Sequence, residues 1–141
     1  MKRIMFAVLA AVALTIAAAV PASASSPLRS FYLEKDCTDF FAGGNTCVVT
    51  VSPDPAIPVG SVIVYNGPFF SFVNADVLSM EVVIVAPEGT AAGHCTWALS
   101  VRPSGACTLA RGTGSLAGLH ATLSVTLGNF PVFVWDGTYQ L

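Results

Sequence analysis

Four side chains have the most to offer a reaction: His94, His120, Glu81 and Arg111. His120 stands with Thr122 and Ser124 on the polar side of an alternating segment. An imidazole titrates near neutrality, so it serves as acid or base if it lines a cavity and simply faces water if it does not. Glu81 interrupts the apolar run Ser79-Met80-Glu81-Val82-Val83-Ile84-Val85. A carboxylate there is either a cavity group or a charge guarding a sheet edge. His120, Glu81 and Arg111 are therefore the candidate cavity residues, while His94 has no sequence neighbour that would orient it. There is no G-x-S-x-G elbow and no local grouping of Ser, His and Asp, so no catalytic residue is assigned. Glu34, Asp36 and Asp39 surround Cys37 as an acidic patch but lack the order of a calcium loop.

Gly112-Thr113-Gly114-Ser115-Leu116-Ala117 matches the dinucleotide fingerprint letter for letter. That chemistry needs a helix N-terminus directly afterwards to hold the pyrophosphate. Here an alternating strand pattern follows instead. The glycines are read as a bend where backbones approach closely, and no cofactor is expected.

Cys37, Cys47, Cys95 and Cys107 are the only cysteines. Their spacing and the two histidines give no zinc pattern, so no metal is expected. An even count in an exported chain reads as disulfides, and four cysteines allow three connectivities. Cys37–Cys47 with Cys95–Cys107 is the expected pairing, because each closes a short local loop.

The export itself is read from residues 1–24. Met1-Lys2-Arg3 is a basic start, Ile4 to Val20 is apolar except for Thr15, and Ala22-Ser23-Ala24 is a small-x-small cleavage triplet. Cleavage between Ala24 and Ser25 leaves one secreted domain over residues 25–141. An uncleaved anchor is the rival reading of the same stretch. Once Lys2 and Arg3 are discounted, Arg29, Lys35, Arg102 and Arg111 face all eight acids, for a net charge of −4. This leaves no basic footprint for nucleic acid. No later segment has the ~18–20 continuous apolar residues of a membrane-spanning helix.

The elements that must position these residues are short β-patterned segments divided by Gly, Pro and Asn. Cys47, Val49 and Val51 alternate with polar residues until Pro53-Asp54-Pro55. Ser61–Tyr65 and Phe69–Val73 read as two strands split by an Asn66-Gly67-Pro68 turn. Met80–Ala86 is another, and Cys95, Trp97, Leu99 and Val101 share the face of the next, which ends at an Arg102-Pro103-Ser104-Gly105 turn. Leu119, Ala121, Leu123, Val125 and Leu127 alternate without a break against His120, Thr122, Ser124 and Thr126. Phe133, Trp135, Tyr139 and Leu141 share a face in the last segment. About eight strands predict an all-β fold, a single antiparallel barrel, with a β-sandwich as the alternative. The large inward aromatics of the final strand favour closure. Phe69, Phe70, Phe72, Trp97, Phe130, Phe133, Trp135 and Tyr139 suffice for a core and could also line an apolar pocket.

Ala110-Arg111-Gly112-Thr113-Gly114-Ser115-Leu116-Ala117-Gly118-Leu119-His120, a long alternating strand and then Trp135-Asp136-Gly137-Thr138-Tyr139 resemble small secreted bacterial proteins with an allene oxide cyclase-like barrel. The resemblance covers roughly residues 93–141. It implies an eight-stranded calycin-type barrel with a central cavity, in a family that includes cyclases shaping apolar substrates. No catalytic residue of those enzymes has a match here. The expected function is a secreted module that binds a small apolar ligand or an extracellular partner, rather than an enzyme. The alternatives are a cyclase or isomerase using His120, Glu81 or Arg111 inside the barrel, and a structural extracellular protein.

Overall fold

The structure, a computed structural model, describes residues 26–74, 76–99 and 104–141, with the backbone alone for 67–74. The proposed signal peptide with its Ala24/Ser25 junction, and Val101, Arg102 and Pro103, lie outside the described residues.

The alternation that marks the sequence builds eight strands: β1 (Arg29–Asp36), β2 (Thr46–Val51), β3 (Val62–Asn74), β4 (Val77–Ala86), β5 (Gly89–Ala98), β6 (Ser104–Gly112), β7 (His120–Leu127) and β8 (Val132–Gln140). A single helical turn, α1 (Thr38–Phe41), joins β1 to β2. Each strand pairs antiparallel with the next, and β8 returns to β1 over the full length of both, from Arg29↔Tyr139 to Asp36↔Val132. The sheet is therefore a closed barrel, not a sandwich. Closure makes the pleat decisive, because every second residue points into one shared interior. On β7, Ala121, Leu123 and Val125 are buried while His120, Thr122, Ser124 and Thr126 face out.

One end of the barrel is packed shut. Leu116, Leu119 and Ile57 are each about 1% exposed and cap the inward rows of Leu33, Ile63, Ile84 and Leu109. Leu116 reaches its place through a 3-10 turn over Gly114–Leu116. The turn lies against the β4–β5 hairpin, where Ser115 N–H donates to the Glu88 carbonyl at 2.9 Å and Thr113 N–H to that of Thr90 at 2.8 Å. A Cβ at Gly112 would overlap the Leu116 carbonyl, and Gly114 has φ +58° with the Glu88 carbonyl against it. The fingerprint glycines thus serve close backbone approach at the foot of a barrel.

Two sequence expectations are corrected. Asn66-Gly67-Pro68 is not a turn, since β3 runs through it as one strand. Asn66 faces Glu81 but Ser71 faces Ser79, so Gly67 and Pro68 fall in a register shift, where a proline lacking an N–H costs no ladder bond. Val51 does not share the inward face of Cys47 and Val49; it is 43% exposed. The cause is a bulge. Glu34 faces Val51 while Lys35 faces Val49, so Thr50 is an extra residue and the parity of β2 flips beyond it.

Both expected disulfides are present, Cys37–Cys47 and Cys95–Cys107. The second joins residues directly opposite on β5 and β6. Their sequence separations are 10 and 12 residues. Among the described residues no helix is long and apolar enough to cross a membrane. Replacing Cys95 and Cys107 together by alanine is expected to lower stability by about 2–4 kcal/mol. Urea unfolding of the oxidised protein and the double variant measures that difference.

Candidate ligand cavity

The strand that closes the barrel carries a lysine with the wrong parity for water. Phe31, Leu33 and Lys35 point inward from β1, and Cys37, the residue after the strand, is buried as well. Lys35 is only 1% exposed. Its sequence neighbours cannot neutralise it, because the pleat turns Glu34 and Asp36 to the outside. There Glu34 accepts from the Tyr32 hydroxyl at 2.6 Å, and Asp36 from Thr38 N and Oγ1 at 2.8 and 2.6 Å. Among the described residues no carboxylate pairs with Lys35. Its partners are aromatic. Nζ–H donates to the Tyr65 hydroxyl and stands 4.0 Å from the centroid of the Trp135 ring and 4.7 Å from that of Tyr65.

Charge is disfavoured on both members of this pair. Burial holds the Lys35 amine well below its ordinary value near 10.5 and pushes the Tyr65 phenol above its usual 10. The ring faces favour an ammonium, but full desolvation outweighs such contacts, which are worth about 2 kcal/mol when desolvated. Burial thus favours the uncharged form of each. A third donor is near: the indole Nε1–H of Trp135 is buried with no acceptor among the described residues.

These groups line a cavity of about 240 Å³ in the half of the barrel opposite the packed end. β1 contributes Lys35 but not Leu33, with Cys37 just beyond the strand; β6 contributes Cys107 but not Leu109; β7 contributes Val125 but not Leu123. Lys35 is thus the deepest lining residue on its strand. Apart from Thr96 the rest of the wall is apolar or aromatic, with Trp97 against Phe133 at 5.3 Å and Phe40 against Tyr65 at 5.0 Å. Phe41 and Leu99, both about half exposed, form the outer margin. The volume lies between the ~150 Å³ of an apolar cavity that admits benzene and the ~300 Å³ at which pockets for drug-sized ligands begin. A molecule of one or two rings is the matching size.

The three residues singled out from sequence do not line this cavity. His120, Glu81 and Arg111 are all on the outer surface, because the inward parity of β4 belongs to Leu78, Met80, Val82 and Ile84 and that of β7 to Ala121, Leu123 and Val125. Glu81 guards no edge either, since a closed barrel has none. Glu81 and Arg111 do come together, at 3.7 Å, and His94 joins them with Nδ1 3.0 Å from Glu81 Oε1. The far nitrogen of His94 is 3.0 Å from Ser79 Oγ, which completes a Ser–His–Glu line that the sequence does not mark. That line lies on an open strand face. Ser79 is paired with Ser71 on one side and Thr96 on the other, so the backbone there forms ladder rather than an oxyanion hole. Exposed pairs of this kind contribute about 0–1 kcal/mol each.

Lys35 was legible only through β1, whose period-two pattern Phe31, Leu33, Lys35 sets it among apolar residues. A pH prediction follows from its burial. Between the folded and unfolded pKa values the unfolded chain holds a proton that the folded chain has released, so stability rises with pH across that window. Lys35→Met removes this dependence and is expected to exceed the native protein by about 1–3 kcal/mol at pH 7. The gap should close as pH approaches 10. Above that, ionisation of Tyr65 in the unfolded chain lowers the stability of both proteins. Urea unfolding of the pair from pH 6 to pH 11 measures the effect, and a gap independent of pH would mean the amine is not desolvated.

No protein-family model, curated protein or solved structure matches the chain. The functional reading is built on the barrel and its cavity.

Proposed function

We propose that the protein is an exported binding module whose barrel cavity holds a small, largely apolar molecule bearing one oxygen acceptor. The observation that carries the reading is a cavity of about 240 Å³ walled mainly by apolar and aromatic side chains, with Lys35, Tyr65 and Thr96 among its lining residues and no carboxylate there. Apolar walls supply affinity through burial, and a few fixed donors set orientation. A carbonyl, ether or hydroxyl oxygen would accept from the Lys35 amine or the Tyr65 hydroxyl, both of which line the cavity.

Export fits the same picture. We read residues 1–24 as a signal peptide and the two disulfides as staples for an oxidising compartment. We retain the allene oxide cyclase-like resemblance of residues 93–141 as a proposal and carry no activity over from it. A cyclase working through His120, Glu81 or Arg111 has no support, because those side chains stand on the outer face.

The test is a titration with cinnamyl alcohol, an uncharged molecule of one ring and one hydroxyl, followed by the fluorescence of Trp97 and Trp135. Saturable quenching is expected, with a thermal midpoint that rises with ligand concentration. Val125→Phe fills the cavity from β7 and should weaken binding at least tenfold in a protein that still melts cooperatively. Equal binding by this variant would place the ligand elsewhere. Secreted protein should begin at Ser25 by intact mass, whereas a retained N-terminus would support the anchor reading.

A further inference from the structure

The chain holds two lysines, Lys2 and Lys35. Once the proposed signal peptide is removed, one side-chain amine remains, and it is inside the cavity. A lysine placed only to improve solubility would lie outside, where an ammonium is hydrated. This one is buried on the closing strand, at the bulge between β1 and β2, with a phenol hydroxyl on its nitrogen and an indole face beneath it. Such an amine has chemistry beyond hydrogen bonding.

We propose that Lys35 captures small apolar aldehydes as an imine, with Tyr65 as the proton donor and acceptor for the step. The inference rests on the binding reading above and names the ligand class it would take. Its geometry is the adjacency of an uncountered amine, a phenol and an apolar cavity. Nucleophilic lysines are activated by this kind of desolvation, because the free amine rather than the ammonium carries the lone pair.

The step balances without any further reagent. The lone pair of Nζ attacks the carbonyl carbon, the C–N bond forms, and the C=O π pair moves to oxygen. That oxygen takes the phenol proton of Tyr65, and the phenolate recovers a proton from the nitrogen, giving a neutral carbinolamine. The phenol then protonates the hydroxyl, the C–O bond breaks, water leaves, and the remaining N–H proton returns to the phenolate. Amine and aldehyde give imine and water, with no change of oxidation state. The apolar wall of Trp97, Phe133 and Val125 limits the water that would reverse it.

The experiment uses the exported, oxidised protein with cinnamaldehyde and cyanoborohydride at pH 7, which fixes any imine as a secondary amine. One adduct by intact mass is expected, mapped by peptide sequencing to Lys35. The α-amino group of the chain serves as an internal reference for ordinary amine reactivity, and Lys35 should be labelled at least tenfold faster. Tyr65→Phe should slow labelling of Lys35 at least tenfold. Lys35→Met, an unbranched apolar replacement one atom shorter, should leave only the reference adduct. Should that variant not fold, the site mapping in the native protein decides alone. Labelling confined to the α-amine, while cinnamyl alcohol still quenches tryptophan, overturns the imine and leaves the binding reading standing. The same labelling with no response to the alcohol overturns both.

Discussion

The ladder between β1 and β8 closes the sheet, and the inside of this molecule follows from it. Pairing from Arg29↔Tyr139 to Asp36↔Val132 joins the first strand to the last and leaves no free edge. Once closed, the pleat offers each side chain only an interior shared by all eight strands or the outer surface. Phe31 and Leu33 must lie inside, and Lys35, two residues further on, is carried in with them. Opposite them β8 brings Trp135, fully buried, and Phe133, which faces Lys35 in the ladder. The chemistry of the cavity is a consequence of strand parity on the two strands that make the closure.

The two ends of the barrel are built differently. Toward the packed end, Leu116, Leu119 and Ile57 seal rows of Leu, Ile and Val, and the close glycine-rich backbone around Gly112 and Gly114 brings Leu116 into place. Toward the other end the interior is filled by rings, disulfides and empty volume. Both disulfides line the cavity, so their cross-links brace the wall at the level where packing is thinnest. Burying an amine without a counter-charge works against stability, and deprotonation with a single phenol partner is the available relief. The proposed binding and capture of a carbonyl compound would both draw on that amine.

The fold was largely legible because alternation is a local signal. The unbroken period of β7, the inward aromatics of β8 and the cysteine spacing lead to a closed barrel and the right disulfides. The errors have particular physical causes. Asn66-Gly67-Pro68 has the composition of a turn, yet a register shift accommodates the same residues inside a continuous strand. Val51 fails because the bulge at Thr50 reverses parity, which a count of alternating residues cannot register. The site was missed for a different reason. Histidine and a carboxylate in an apolar run are marked by their chemistry, whereas Lys35 sits between two acids and reads as part of an ordinary charged stretch. Only its parity with Phe31 and Leu33 gives it away, and parity has functional meaning only once the barrel is known to close.

The central claim is that the one lysine of residues 25–141 is held uncharged inside the barrel, and its titration tests this most directly. With a single lysine in residues 25–141, a ¹³C-labelled Lys Cε in that domain gives one side-chain signal that needs no assignment by mutation. The signal is expected to move with pH far below the ordinary lysine value of about 10.4, and to read as a neutral amine at pH 8. A titration at the ordinary value would show Lys35 in water, and would contradict the account of the cavity at its base.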